Sequence, residues 1–277
     1  MNTIFRCFML LLVLTLLDAT GMQIGNAQEP QFSAEGAGAG KQIELPQNPQ
    51  AWLNSPPLSV ASMRGKAMVL YFFEEDCPRC RERWPAILNA AAQMQSSPVI
   101  LVGVNSGTSP GELRSYVQQN RISIPIIADY YRTFERAVGV NEVSLQNIFQ
   151  AAIIDPEGNL QIANGADIPG TLQRAAAEAK WNIDPSQMPA NLIPLWKQIE
   201  FGNYAGTSRL MQRALKDRTA EGQAAAEILQ NYVNEQINGL LDKAQEAETA
   251  RQCLGSLQIL FADRLAIQWL RSGSSGL

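Results

Sequence analysis

Cys77 and Cys80 are separated by Pro78 and Arg79, at the point where an apolar run, AMVLYFF (67–73), gives way to a helical pattern. A helix opening just after Cys77 turns its free N–H groups and the positive end of its dipole towards that sulfur, which favours a thiolate. Three residues on, Cys80 returns to the same face within disulfide reach. A thiolate attacks a disulfide sulfur to give a mixed disulfide, and a second thiol close by completes the exchange. Cys77 is therefore expected to be the exposed attacking thiol and Cys80 the resolving one. A static bridge is the other reading of such a pair. The seat between strand and helix is what favours redox use.

The surrounding charges pull in both directions. Glu74, Glu75 and Asp76 oppose a thiolate, while Arg79, Arg81 and Arg83 favour it, and their net effect is left open. The plainer reading makes the acids ordinary strand-end residues, the arginines a solvated helix face and Trp84 core packing. Cys253 falls at a helical core spacing and is expected to be a buried structural thiol.

The 277 residues contain no histidine, which excludes Ser-His and Cys-His catalysis and His-ligated zinc. Without a second thiol pair no metal site is expected, and no cofactor either. The net charge is −4, and losing residues 1–27 removes one base, Arg6, and one acid, Asp18, so it stays −4. No basic surplus points to nucleic acid or to an anionic membrane surface.

Residues 1–27 have the layout of a secretory signal peptide: Arg6, an apolar run from Phe8 to Leu17, and small residues at Gly25 and Ala27. The run is short for a span, so a membrane association is expected only if this segment stays uncleaved. Export implies a periplasmic or secreted protein in an oxidising compartment. Residues 28–49 are polar and rich in Gly, Ala, Gln and Pro, and are expected to be a flexible linker.

The elements that must position the thiols follow from the pattern of apolar residues. Buried strands are predicted at Ala67–Phe73, Pro98–Val104, Ile124–Ala128 and Ala151–Ile154, with a turn at Asp155–Gly158 leading to a fifth strand, Asn159–Ala163. Helices are predicted after Cys77, after the N-cap Ser109, around Tyr131–Val138 and over Pro169–Lys180. The order gives a three-layer α/β domain over residues 50–180. From 181 to 277 only helical periodicity remains, in four segments around Leu195–Phe201, Leu210–Leu215, Leu229–Ala244 and Leu254–Trp269. This reads as a small all-α domain, with FGNYAGTSRLMQRAL and ARQCLGSLQILFAD as weak copies of a tetratricopeptide-type hairpin. It holds no catalytic constellation, so it is expected to be separable from the thiol chemistry and free to bind a protein partner.

The stretch AMVLYFFEEDCPRCRERWP resembles the thioredoxin superfamily, and within it the exported thiol-disulfide oxidoreductases of the cytochrome-maturation type, the TlpA-like, AhpC/TSA-redoxin group. Cys77, Pro78, Cys80, Arg81 and Pro85 match the group's pattern, as do V-G-V-N at Val102–Asn105 and I-I-D-P-E-G-N at Ile153–Asn159. The resemblance covers about residues 50–180. It implies a thioredoxin-like fold, catalytic Cys77 and Cys80, and an exported protein thiol or disulfide as substrate, with reduction the favoured direction. Three positions depart from the pattern. The cis-proline that usually faces the disulfide would fall near Phe149, the usual Trp before the first cysteine is Asp76, and an interior acid of some members is Tyr71. A thiol peroxidase shares the fold, but YFFEED supplies neither the Pro nor the Thr of that motif. A thioredoxin-like scaffold with a structural disulfide is the non-enzymatic alternative.

Overall fold

The computed structural model describes residues 41–144, 147–204 and 207–273, with side chains as far as Glu248 apart from those of Leu240 and Lys243. The expected signal segment lies outside the described residues.

The apolar run forms the central strand β3 (Ala67–Phe73), every residue of which is buried. It runs parallel to β4 (Val99–Ser106), which runs parallel to β5 (Ile126–Asp129); on its other side it meets β6 (Gln150–Ile154), antiparallel. A hairpin joins β6 to β7 (Asn159–Asn164) through the turn expected at Asp155–Gly158, where Gly158 N–H donates to the Asp155 carbonyl at 2.9 Å. Two short strands, β1 (Lys41–Gln42) on β7 and β2 (Trp52–Leu53) on β5, complete the order β1-β7-β6-β3-β4-β5-β2.

Alternation along β3 divides the core in two. Val69, Tyr71 and Phe73 face helices α1 (Pro78–Gln93), α2 (Pro110–Gln119) and α4 (Ile168–Glu178), which contribute Trp84, Leu113 and Leu172 to that cluster. Met68, Leu70 and Phe72 face α3 (Thr133–Val138) and the N-terminal segment. This is the expected three-layer, thioredoxin-like α/β arrangement. Ser109 caps α2 as expected, its Oγ accepting from Glu112 N–H.

The segment expected to be linker differs from expectation at its described end. Lys41 and Gln42 pair with β7, and Ile43 and Leu45 are buried against Leu160 and Met68 in the second cluster. Apolar residues spaced by two on a sheet edge are enough to recruit a stretch whose composition alone reads as tether.

Beyond α4 come α5 (Ile193–Glu200), α6 (Ser208–Ala214) and α7 (Ala220–Gly273). The first compact unit holds the sheet, α1 to α6 and α7 as far as Gln230, so the expected division at 180/181 falls inside it; α7 from Asn231 belongs to a second unit. What ties α5 to the sheet is a buried ion pair. Lys66 Nζ lies 2.7 Å from Glu200 Oε2, with both side chains fully enclosed. Glu200 also accepts from the backbone N–H groups of Asn182 (3.3 Å) and Ile183 (2.7 Å), and from the Trp196 indole (3.3 Å).

The two C-terminal helices expected at Leu229–Ala244 and Leu254–Trp269 are one continuous helix, so the second hairpin copy lies within α7 rather than forming a hairpin. Between Leu241 and Leu254 the sequence has neither Pro nor Gly, and nothing there stops a helix. Among the described residues no helix is long and apolar enough to cross a membrane.

Candidate active site

β3 ends at Phe73 and α1 begins at Pro78, so the two cysteines lie at the carboxyl edge of the parallel strands, the usual place for a site in such sheets. Cys77 is the N-cap of α1: its backbone is extended (φ −83°, ψ 105°), and its Sγ accepts from Cys80 N–H at 3.1 Å. Pro78 fits the first helical position, where a backbone N–H would lack an intrahelical partner. The helix is then driven against the sheet by Cys80, Trp84, Ile87 and Ala90, one face of α1.

Both cysteines are free thiols. Exposure does not distinguish them as expected, since Cys77 is 3% exposed and Cys80 0%. The expected exposed attacker sits in the same apolar cluster as Ile148, Trp84 and Tyr71. What differs is environment. Burial, followed by a hydrogen bond with Cys77, pushes the Cys80 thiol up to about 12. Cys80 is therefore held as a neutral thiol, while Cys77 has a backbone donor aimed at its sulfur.

Trp84 packs edge-on against Phe73 (4.8 Å between ring centroids) and Tyr71 (5.6 Å), and donates its indole N–H to the Tyr116 hydroxyl at 2.9 Å. Its expected role in the core is what the structure gives it. Tyr71 is fully buried, and among the described residues its hydroxyl has no hydrogen-bond partner. Burial raises its phenol well above the ordinary range, with a smaller upward contribution from Cys80.

Arg83 is not the solvated residue of the plainer reading. Its guanidinium lies 5.7 Å from the Tyr71 ring centroid and 4.8 Å from that of Phe149, and it donates to the carbonyls of Gly165 (2.7 Å) and Ala166 (2.9 Å). Phe149 itself is about half exposed, and its carbonyl accepts from Gly165 N–H at 3.2 Å. A Cβ on Gly165 would stand 2.6 Å from the Phe149 carbonyl carbon, so only glycine allows this approach. Arg79 and Arg81 remain exposed, Arg81 lying 5.9 Å from the Tyr116 ring centroid.

The three acids divide likewise. Glu74 forms a salt bridge with Arg132, which also pairs with Glu135 at 3.2 Å and approaches Glu142 at 3.6 Å. Glu75 keeps its carboxyl above the usual range through partial burial, with Glu112 and Asp76 adding to it. Sequence reasoning missed Arg132, Tyr116 and the Phe149–Gly165 contact. The available signal was topological: β3, β4 and β5 run parallel, so the residues following each share one edge of the sheet. Cys253 lies on α7 beyond the described side chains. Among the described residues no group of three or more metal-ligating side chains occurs.

The model of the AhpC/TSA family matches residues 30–163. The thiol-disulfide oxidoreductase ResA of Bacillus subtilis (strain 168) is 25% identical over 107 residues, 39% of this chain and 57% of the relative, so the match spans little more than half of that protein's length. Among solved structures, a thiol-disulfide isomerase from Corynebacterium glutamicum is 18% identical, covering 50% of this chain and 98% of that one, with a TM-score of 0.42. A thiol:disulfide interchange protein of the thioredoxin family from Chlorobium tepidum TLS is 20% identical over 50% and 97%, with a TM-score of 0.41. The stretch that resembles the AhpC/TSA family, just under half of the chain, takes in the β3–α1 junction where the two thiols stand.

Proposed function

We propose that this chain is an exported protein thiol-disulfide oxidoreductase acting through Cys77 and Cys80, with reduction of a protein disulfide its favoured direction. The observation that carries this reading is the asymmetry of the pair: Cys77 Sγ receives the Cys80 N–H at the helix start, while Cys80 is buried and kept protonated. The Cys77 thiolate attacks one sulfur of the partner disulfide, forming a mixed disulfide and expelling the other partner sulfur as a thiolate, which takes up a proton. Cys80 then loses its proton and attacks the Cys77 sulfur. The products are a Cys77–Cys80 disulfide and a partner with two thiols, and a thiol reductant must restore the pair. The N-terminal signal pattern supports export, and the helical region beyond Asn231 is the part of the chain left to hold a protein partner.

Cys80→Ser tests the reading. The variant is expected to accumulate a mixed disulfide with a partner in the exported compartment, visible as an adduct that reducing agent removes. Cys253 is the other possible resolver, and if it served, Cys253→Ser would trap where Cys80→Ser did not. The near-complete burial of Cys77 favours a second reading, a scaffold whose thiols attack nothing. A folded Cys80→Ser protein that keeps Cys77 reduced and forms no adduct, together with a Cys253→Ser protein that forms none, establishes the scaffold instead.

A further inference from the structure

α1 carries the thiols at its first turn, and its last turn opens on a different feature. A cleft of about 540 Å³ lies there, walled by Leu58, Leu88, Met94, Ile124, Ile193 and Phe201. Its nearest α1 residue, Leu88, follows Cys77 by eleven positions, about 16 Å along the helix at 1.5 Å each. The volume is in the range of small-molecule sites, roughly 300–1,000 Å³. Just over half of the residues lining it are aliphatic, the rest are largely amides and serines such as Asn54, Gln95 and Ser123, and one alone is charged, Lys197 on α5.

Lys197 is half-buried, and among the described residues it has no salt bridge or hydrogen bond through its side chain. No acid lines the cleft. Burial alone lowers its pKa, in the absence of any carboxylate to counter it. An ammonium held at partly dry apolar walls with no counter-ion favours an anion that brings its own apolar body. Lys197 and Phe201 both lie past residue 163, so this cleft is built with residues outside the stretch matched to the family.

We propose that this cleft binds a linear acyl carboxylate, a fatty-acid anion whose chain lies along the aliphatic walls and whose carboxylate pairs with Lys197. The binding is independent of the thiol chemistry, and nothing in the proposal requires Cys77 or Cys80.

Titration calorimetry of the full chain with octanoate, decanoate and decanol, each below its aggregation limit, provides the test. Saturable one-to-one binding of decanoate is expected, about fifteenfold tighter than octanoate, because each buried methylene is worth about fourfold. Lys197→Met is expected to weaken decanoate at least tenfold and leave decanol unchanged, as befits loss of a charge-assisted hydrogen bond. Lys197→Arg is expected to restore decanoate binding to within a few-fold. Equal decanoate affinity in the Lys197→Met protein, or no saturable binding to the parent, overturns the proposal. So does binding confined to a peptide with an apolar free C-terminus, with decanoate inert.

Discussion

Glu200→Gln removes one negative charge from a fully enclosed site, and the consequence can be worked atom by atom. Glu200 Oε1 accepts from Ile183 N–H and the Trp196 indole, while Oε2 accepts from Lys66, Asn182 N–H and the Asn182 amide. Every partner is a donor. A glutamine must place its NH₂ against one of these two sets in either orientation, and Lys66 is left with the Arg64 carbonyl at 3.5 Å as its other acceptor. Removing one partner of a buried ion pair costs about 3–5 kcal/mol. At roughly 2–4 °C per kcal/mol for a unit of this size, the thermal midpoint should fall by about 6–20 °C. Lys66→Met should cost less, since the carboxylate keeps its four N–H donors. Thermal unfolding followed by tryptophan fluorescence reads both, Trp196 being a direct partner of the pair. A Glu200→Gln midpoint within about 2 °C of the parent refutes the reasoning. The same contacts change the expectation for truncation: deleting residues beyond Lys180 removes the carboxylate that pairs with Lys66 and part of what encloses it, so the helices are not cleanly separable from the sheet.

Two further outcomes are expected. With Cys80 raised to about 12, its thiolate fraction grows about tenfold per pH unit from neutrality upwards, so the rate of mixed-disulfide resolution measured by stopped-flow should rise with a slope near one between pH 7 and 10; a plateau by pH 8 contradicts the assignment. Tyr71→Phe deletes a buried hydroxyl that has no partner among the described residues and should stabilise the protein by about 1 kcal/mol in urea unfolding; a loss of that size would mean the hydroxyl is bonded after all.

Much of the fold was legible because its signals are local. The all-apolar run 67–73 could only be a strand covered on both faces, and Ser109, Pro110 and the Asp155–Gly158 turn mark element ends by their own chemistry. What was not legible depends on partners distant in sequence. Ile43 and Leu45 are two apolar residues in a polar stretch until an exposed sheet edge gives them a place. Lys66 and Glu200 are ordinary charges at opposite ends of the sheet unit, and composition holds no sign that they meet. The unbroken α7 had a readable cause, the absence of Gly and Pro between Leu241 and Leu254, which the regular spacing of leucines masked.

At the site, the thiols were legible because their chemistry lies within four residues, and their surroundings were not. Tyr71 and Phe149 stood as two separate departures from the family pattern, one for an interior acid and one near a cis-proline. In the structure they are one feature. The Arg83 guanidinium packs against both rings, and its donors fix the Gly165 and Ala166 carbonyls beside Phe149. A proline at 149 would offer no aromatic face to this cation, and an acid at 71 would replace ring contact with a buried charge pair. Arg83 therefore links the β3 interior to the start of β6, between them the ground on which Cys77 and Cys80 sit. The signal for it in the sequence was the coincidence of an aromatic at both departures with an arginine one turn after Cys80, and only the antiparallel pairing of β3 with β6 brings the three together.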